Sequence, residues 1–281
     1  MDIRRIAGAG GALLGVLGAY AAYENCCMLK TVHYTAAVPG LPRLVQISDL
    51  HKRRFGRHQE KLVQAVRAAE PELIVITGDL VSRDVTDYSG TAKLLEQLCA
   101  AAPVLAVFGN HELDLLPEDA AALRRVMQKA GVRLLENETV TVGGIRFAGL
   151  PLTPDYYRGG GWFGFTGRCT CTAETVQAAL GTCAPHTVLL AHNPLFFPAY
   201  AQWGAALTLS GHVHGGAVRL PVLGGMLSPE RKFFPRYDRG QFRIGSSEMI
   251  VSGGLGKLRL WNPPEICVIT AAGEGPAYDM A

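Results

Sequence analysis

Five short motifs place side chains that can bind a divalent cation directly after apolar stretches of the chain. Each motif combines aspartate, asparagine or histidine, and together they hold five of the 8 histidines. They are Asp49-Leu50-His51, Gly78-Asp79, Gly109-Asn110-His111-Glu112, His192-Asn193 and Gly211-His212-Val213-His214. Taken singly, each has an ordinary structural explanation as a helix cap, a turn or a core histidine. Their joint occurrence after successive apolar stretches favours one common site.

The donor atoms of these motifs are carboxylate and amide oxygens and imidazole nitrogens, with no cysteine among them. Such ligands suit manganese, iron or zinc rather than a structural zinc held by thiolates. They are also more numerous than one ion needs. With one shared carboxylate, two ions about 3.5–4 Å apart can be held, and this arrangement stabilises both the attacking and the leaving oxygen in displacement at phosphorus. The motifs therefore predict phosphoester hydrolysis with two divalent metal ions (Mn, Fe or Zn) as cofactors.

The apolar stretches before the motifs are short and rich in Val, Ile and Leu, and helical patterns alternate with them. We expect strands at 44–47, 73–76, 104–107, 145–148, 188–190 and 207–209, and helices at about 58–69, 91–101, 117–130 and 173–180. This alternation is typical of a layered α/β fold. Ligands of open α/β sheets bind beyond the carboxyl ends of the strands, where all five motifs stand.

From residue 43 to residue 272, the ordered set of motifs resembles the calcineurin-like metallophosphoesterase superfamily. The resemblance implies an α/β fold, a four-layer sandwich of two mixed β-sheets flanked by α-helices, with a dimetal centre above the strand ends. It also implies two ligand sets that share one residue: Asp49, His51, Asp79 and His214 for one ion, and Asp79, Asn110, His192 and His212 for the other. His111 takes the place of the family's acid or transition-state stabiliser, and Glu112 stands where an orienting carboxylate is found.

Further motifs are similar to a branch of membrane-associated or exported bacterial phosphoesterases, the YkuE and YaeI types and the calcineurin-like UDP-2,3-diacylglucosamine hydrolase. These motifs are 211–216 with Arg219-Leu220-Pro221, 237–240, 254–256 and 262–266. The sequence departs from that branch at Ala217 and Gly253, neither of which is a presumed metal ligand, so the substrate is left open. The resemblance implies a phosphodiester or pyrophosphate substrate, with a lipid- or cell-wall-linked phosphate among the alternatives.

The expected mechanism needs no protein nucleophile, because a water shared by two cations loses a proton near neutral pH and attacks phosphorus as hydroxide. His111 then protonates or hydrogen-bonds the leaving oxygen. We expect Arg231, Arg236 and Arg239 to bind additional phosphate, with a solvated basic hairpin as the alternative. The alternative function is a non-catalytic scaffold of the same fold. Such a scaffold should have lost ligands, whereas every metal position here is filled.

The amino terminus predicts an association with a membrane. Residues 6–23 carry no charge, follow Arg4 and Arg5, and are nearly long enough as a helix to cross a hydrocarbon core. The positive-inside tendency then makes the catalytic part extracytoplasmic, and a cleaved signal peptide is the alternative. We divide the chain into an anchor or signal segment at 1–24, a linker at 25–42 and a metallophosphoesterase domain at 43–281.

Composition excludes several other classes of protein. A length of 281 residues, with 48% apolar and 18% charged residues, excludes a disordered or fibrous chain. The formal net charge of +3 is too small for the footprint of a nucleic-acid-binding protein, so no nucleic-acid partner is expected. The 7 cysteines are too few for a disulfide-built scaffold, although Cys183 can pair with Cys169 or Cys171 in an exported domain. The sequence makes no prediction of oligomeric state.

Overall fold

Two six-stranded mixed sheets form the framework of the protein. The computed structural model describes residues 15–24, 27–157, 169–216, 219–220, 224–225, 235–257 and 259–273. The first sheet has, in spatial order, the strands β1 (Lys30–Ala36), β14 (Glu265–Ala271), β2 (Leu44–Ile47), β3 (Leu73–Thr77), β4 (Val104–Val107) and β5 (Arg133–Leu134). The second has β12 (Gly240–Ile244), β13 (Ser247–Val251), β9 (Leu207–Ser210), β8 (Val188–Leu190), β7 (Ile145–Gly149) and β6 (Glu138–Val142). Two short strands, β10 (Arg219–Leu220) and β11 (Gly224–Gly225), pair with each other.

The strands that carry the motifs are parallel and end at the same edge. β2, β3 and β4 are parallel neighbours in the first sheet, and β8 and β9 are parallel neighbours in the second. Antiparallel pairs join β14 to β2, β12 to β13, and β6 to β7. Every residue of β2 and β3 is buried, which is why both strands are nearly continuous runs of Leu, Ile and Val.

Helices cover the outer face of each sheet. The α-helices of the described structure are α1 (residues 15–24), α2 (Glu60–Ala68), α3 (Ser89–Cys99), α4 (Asn110–Leu113), α5 (Pro117–Ala130), α6 (Ala173–Leu180) and α7 (Phe197–Trp203). One apolar cluster packs α2, α3 and α5 on the first sheet, and another packs α6 and α7 on the second. A third cluster, with Val75 and Leu105 facing Phe147 and Leu209, fills the space between the sheets. The predicted arrangement of two mixed sheets flanked by helices is confirmed.

One buried polar side chain ties the two sheets together beneath their carboxyl edge. Gln46 on β2 donates hydrogen bonds from its Nε2 to Oγ1 of Thr77, at 3.0 Å, and to the carbonyl oxygen of Ser210, at 2.8 Å. Thr77 and Ser210 are the last residues of β3 and β9. The ends of three strands from two sheets are therefore fixed relative to one another, directly below the loops that carry the motifs.

The predicted strands and helices occur close to their expected positions. The six predicted strands match β2, β3, β4, β7, β8 and β9 to within one residue, and α5 and α6 match as predicted. α2 begins at Glu60 rather than at 58, because His58 and Gln59 have left-handed backbone angles, with φ of 54° and 65°. These angles interrupt the helical pattern read from the sequence.

The stretch predicted as a linker at 25–42 contains a strand. Lys30–Ala36 forms β1 and pairs in parallel with β14 along its whole length. Its exposure alternates between exposed and half-buried residues, as expected for an edge strand with a period of two. After β1, Ala36, Val38 and Leu41 are buried in the core between the sheets. These residues therefore belong to the folded domain.

Two other expectations lack support in the described part of the chain. Of the expected membrane segment at 6–23, residues 6–14 lie outside the described residues and residues 15–23 are helical. No helix over the described ranges combines the length and the apolar composition that crossing a membrane requires. Cys27, Cys99, Cys169, Cys171, Cys183 and Cys267 are all free thiols. Cys183 thus forms no disulfide with Cys169 or Cys171, a pairing that the sequence left open.

Candidate metal centre

The five motifs meet at the shared edge of the two sheets. Loops after β2 and β3 bring Asp49, His51 and Asp79 from the first sheet, and α4, which follows β4, brings Asn110 and His111. Loops after β8 and β9 bring His192, His212 and His214 from the second. The fold therefore unites the residues that the sequence analysis predicted as metal ligands, and each of the two sheets supplies part of the set.

Several of these side chains depend on an unusual backbone conformation. The angle φ is 54° at Asp49, 53° at His51, 53° at Asp79, 68° at His212 and 54° at His214. A residue other than glycine loses about 1–2 kcal/mol in this left-handed region, and such conformations concentrate at functional sites. Hydrogen bonds between loops maintain it: the N–H of Asp49 donates to the carbonyl of Gly78 at 3.1 Å, and the N–H of His51 donates to the carbonyl of Asp79 at 3.0 Å.

Glycines in the motifs allow the loops to approach one another closely. A Cβ on Gly211 would lie 1.9 Å from Oγ of Ser48 and 2.5 Å from Oδ2 of Asp49. A Cβ on Gly109 would lie 2.3 Å from Oδ1 of Asp79. Both distances are far below van der Waals contact. Only glycine fits at positions 211 and 109, because Asp49 and Asp79 occupy the space that a Cβ would need.

The donor atoms form two adjoining groups that share Asp79. In one, ligand atoms of Asp49, His51, Asp79 and His214 all lie within 4.8 Å of one another, and in the other those of Asp79, His192 and His212 do. The Oδ2 atom of Asp79 lies 3.7 Å from Nε2 of His51 and 3.4 Å from Nε2 of His192. Its Oδ1 accepts the backbone N–H of His111 at 2.9 Å. One carboxylate oxygen thus faces both groups.

Three buried atoms on residues of the centre lack a hydrogen-bond partner among the described residues. They are Nδ1 of His51, Oδ1 of Asn110 and Nε2 of His192. The other ring nitrogen of His192, Nδ1, lies 2.6 Å from the carbonyl oxygen of Thr77, so in the neutral ring Nδ1–H donates and Nε2 presents a lone pair. A lone pair directed at a carboxylate is repelled unless a proton or a metal cation lies between them. The donor set therefore fits divalent cations, one in each group.

The electrostatics of the buried groups agree with this fit. Burial opposes a charged His192 ring, but the carboxylates of Asp79 and Asp49 outweigh burial and raise the pKa of His192 to about 9. Burial likewise opposes ionisation of Asp79, and the neighbouring imidazoles, His192 foremost, lower the pKa of Asp79 below its ordinary value. The carboxylates of Asp79 and Asp49 therefore create a negative potential at the buried His192 ring, which attracts positive charge.

His111 stands beside the two groups with one nitrogen already engaged. Its Nδ1 accepts the backbone N–H of Arg83 at 3.2 Å, and its Nε2 lies 4.0 Å from Oδ2 of Asp79. Burial lowers the pKa of His111, although Asp79 opposes this effect. A neutral ring with Nδ1 as acceptor carries its proton on Nε2, on the side of the candidate metal centre.

Glu112 was predicted to orient His111, but its carboxylate accepts hydrogen bonds from backbone N–H groups instead. Its carboxylate accepts the N–H groups of Asp79 at 2.9 Å, Val81 at 2.9 Å and Gly109 at 2.8 Å. The side chain is buried, and burial raises its pKa to about 7. Glu112 therefore joins the loops after β3 and β4 and positions the carboxylate of Asp79.

The three arginines predicted to bind substrate differ in their surroundings. Arg231 lies outside the described residues. Arg239 forms an ion pair with buried Glu265 and donates from Nη1 to Oδ1 of Asn262 at 3.2 Å, so its charge is already compensated. Arg236 is exposed, and its guanidinium lies 5.3 Å from the ring centre of Tyr237. None of the contacts of Arg236 or Arg239 in the described structure reaches the metal-ligand groups.

Two supporting residues were given no role at the metal centre by the sequence analysis. Asn262 donates from Nδ2 to the carbonyls of His214 at 2.6 Å and Gly216 at 2.7 Å, which holds the last motif in place. The ring of Tyr157 lies edge-on to His212 with 5.1 Å between centroids. The Asn262-Pro263-Pro264 motif could have pointed to the role of Asn262. Nothing in the neighbouring sequence distinguishes Tyr157 from other aromatic residues.

Four α/β/β/α layers with two adjoining cation-binding groups at the strand ends define the chain as a metal-dependent phosphoesterase. It belongs to the calcineurin-like phosphoesterase family, whose profile matches residues 42–216. The chain is therefore a hydrolase that acts on phosphoric ester bonds. The family uses a dimetal centre, so the predicted requirement for two divalent metal ions is confirmed, while their identity stays a prediction.

Curated relatives match most of this chain. It is 27% identical to the uncharacterised metallophosphoesterase YkuE of Bacillus subtilis, with 89% of this chain and 88% of the relative covered. It is 28% identical to the phosphodiesterase YaeI of Escherichia coli, with 81% of each chain covered. The UDP-2,3-diacylglucosamine pyrophosphatase LpxG of Chlamydia muridarum is 24% identical, with 81% of this chain and 82% of the relative covered. The predicted similarity to this branch is confirmed.

Proposed function

We propose that the enzyme hydrolyses phosphodiesters or pyrophosphates at a centre in which Asp79 bridges two cations. One cation would be held by Asp49, His51, Asp79 and His214, and the other by Asp79, Asn110, His192 and His212. The observation that carries the proposal is the position of Oδ2 of Asp79, 3.7 Å from Nε2 of His51 and 3.4 Å from Nε2 of His192. A single atom shared by two donor groups is what a bridging ligand requires.

The chain supplies the remaining parts of the reaction. When bound, the two cations acidify a water molecule and neutralise charge on the phosphoryl oxygens. His111 donates the proton on Nε2 to the leaving oxygen, while the N–H of Arg83 keeps the ring oriented. Glu112 holds the backbone on which Asp79 and Gly109 stand. No side chain of the chain acts as a nucleophile in this scheme.

We propose further that residues 1–24 hold the enzyme at a membrane, with the phosphoesterase domain outside the cytoplasm and a lipid- or cell-wall-linked phosphate as substrate. On α1 the large side chains of Val16, Tyr20 and Tyr23 are exposed, and their spacing places them on one helix face. Glu24, at the end of α1, is buried and accepts the N–H of Trp261 at 2.7 Å. The name of LpxG, whose substrate carries acyl chains, supports the same proposal.

The catalytic proposal is tested with the purified full chain loaded with manganese. We expect two bound ions per chain by elemental analysis and turnover of bis(p-nitrophenyl) phosphate. A panel of phosphomonoesters, nucleotide diesters and UDP-linked lipids then ranks the substrates. Absence of turnover on every phosphoester, with two ions bound, would contradict the proposed hydrolysis.

The membrane proposal has a separate test in intact cells. We expect the protein in the membrane fraction and digestion of the domain when intact protoplasts are treated with protease. Survival of the domain in intact protoplasts, followed by digestion after lysis, would place the domain in the cytoplasm. A matched chain that begins at residue 28 is the control for the contribution of residues 1–24.

A further inference from the structure

A cavity of about 660 Å³ opens beside the metal centre. Residues from 50–59, 80–87 and the first two turns of α3 line it, and His51 stands on the wall that it shares with the centre. Sites for small molecules typically have about 300–1,000 Å³. The cavity is therefore large enough to hold a substantial part of a substrate molecule.

The loop that forms one wall of the cavity is rigidly held. Arg53 is buried and donates from Nη1 to the carbonyl of Gly256 at 2.9 Å, and its guanidinium covers the ring of Phe55 at 4.7 Å. Gln59 closes the loop, because its Oε1 accepts the N–H of Phe55 at 2.8 Å and its Nε2 donates to the carbonyl of Arg53 at 2.7 Å. Side chains that project from this loop are therefore preorganised.

Two arginines in the cavity form no ion pair among the described residues. Lys52 forms an ion pair with Asp84. The carboxylate of Asp87 accepts hydrogen bonds from the backbone N–H and the hydroxyl of Ser89, at 2.9 and 3.0 Å. Arg54 and Arg57 line the cavity and are exposed, and neither has a carboxylate partner within the described ranges. The cavity thus offers two guanidinium groups to an incoming anion.

The cavity lies on the His111 side of the centre. His51, on the shared wall, packs edge-on against His111 with 4.5 Å between ring centroids. Arg83, whose N–H binds His111, is followed directly by Asp84 of the cavity lining. A histidine that protonates the leaving oxygen must stand on the side where the leaving group departs. The cavity is therefore placed to receive that group.

We propose that this cavity binds the leaving group of the substrate, and that this leaving group carries a phosphate of its own, bound by Arg54 and Arg57. The inference rests on the phosphoester hydrolysis proposed above. Guanidinium groups bind phosphate oxygens through paired, charge-assisted hydrogen bonds. The buried side chains of Leu50, Leu80 and Leu94 add an apolar floor for the organic part of the group. A phosphate monoester such as a nucleotide or a glycerol phosphate is the matching class.

The deciding test measures binding without catalysis. Metal-free full chain is titrated in a calorimeter with uridine 5′-monophosphate, sn-glycerol 3-phosphate and uridine, so that neither turnover nor metal contributes. The test variant is R54Q/R57Q. The control, R67Q/R125Q, removes two exposed arginines that do not line the cavity. We expect at least one phosphate monoester to bind wild type and control about tenfold or more tightly than the test variant, and to bind more tightly than uridine.

The two phosphate monoesters distinguish a nucleotide from a lipid-type leaving group, and tighter binding of either supports the proposal. Failure of both to bind wild type, or equal affinity for all three proteins, would overturn it. In the manganese-loaded enzyme, R54Q/R57Q should raise the inhibition constant of uridine 5′-monophosphate about tenfold more than it changes KM for bis(p-nitrophenyl) phosphate. Equal changes would also overturn the proposal. Absence of turnover by wild type contradicts only the proposed hydrolysis, because the calorimetric test does not use it.

Discussion

The Nδ1 atom of His111 accepts a hydrogen bond from the backbone N–H of Arg83 at 3.2 Å. Because the backbone N–H can only donate, the neutral imidazole must carry its proton on Nε2, the nitrogen 4.0 Å from Oδ2 of Asp79. Arg83, in the loop after β3, thus fixes the tautomer of His111, which follows β4. His111 therefore presents an N–H group to the centre, unlike the histidines of the two metal-ligand groups, which are proposed to present a lone pair to a cation.

We expect His111→Asn to retain two metal ions and to lose activity selectively. General acid catalysis contributes about 10²- to 10⁴-fold and matters most for a basic leaving oxygen. The variant should therefore lose little activity on a p-nitrophenyl ester and much more on an alkyl diester. Steady-state kinetics with both substrates, with elemental analysis, check this, and His33→Asn on exposed β1 is the control. Equal losses would point to stabilisation of the phosphoryl oxygens, and loss of metal would make His111 a ligand.

Asp79→Asn should nearly abolish hydrolysis and reduce the bound metal from two ions to one or none. Its Oδ2 is the atom that both donor groups share, and an amide cannot replace a carboxylate that bridges two cations. Elemental analysis after dialysis and turnover of bis(p-nitrophenyl) phosphate provide the measurement. Asp119→Asn, in the first turn of α5, is the control. Full metal content with unchanged turnover would remove the bridging assignment.

Glu112→Gln tests the role of the buried carboxylate behind the centre. The amide must turn a donor toward at least some of the three N–H groups that the carboxylate accepts, so we expect a loss of about 1–3 kcal/mol of unfolding free energy. Metal affinity should fall with it, because Asp79 loses its backbone support. Denaturant unfolding measures the first effect and metal titration the second. Exposed Glu118→Gln should change neither, and unchanged stability in Glu112→Gln would be inconsistent with the positioning role.

Removal of metal should lower the thermal stability of the fold. A ligand that binds only the folded state at 100 times its Kd adds about 2.7 kcal/mol, and each kcal/mol shifts Tm by about 2–4 °C in a protein of this size class. Scanning calorimetry with manganese and with a chelator should therefore give a clearly higher Tm in manganese. The Asp79→Asn variant should respond much less. A Tm that is independent of metal in the wild type would contradict binding at the shared edge of the two sheets.

The folded domain should require β1. A chain that begins at 43 lacks Ala36, Val38 and Leu41, all buried, and loss of each buried Val or Leu removes about 1.5–3 kcal/mol. It also leaves β14 as an unpaired edge. We expect a Tm at least about 5 °C below that of a chain beginning at 28, with more aggregation. Comparable melting of the two chains would show that β1 contributes little.

The metal centre was predictable because its ligands follow continuous apolar strands, and strands such as β3 are recognisable from composition alone. Other features depend on contacts that one sequence does not display. Glu112 was placed beside His111 by its position in a motif, whereas its side chain turns toward the backbone of neighbouring loops. Arg239 looked available for substrate because its partner Glu265 lies far along the chain. β1 escaped prediction because an edge strand is half-exposed and carries no long apolar run.

Each proposed ligand set draws donors from both sheets, which has a consequence for how the chain folds. The N–H of His212 donates to the carboxylate of Asp49 across 163 positions of sequence, and Gln46 reaches Ser210 across 164. Contacts this distant close large loops and form late in folding. An intermediate with only one sheet in place therefore lacks at least one donor of each set. Both sets are complete only after the two sheets have docked, so uptake of two ions reports that docking.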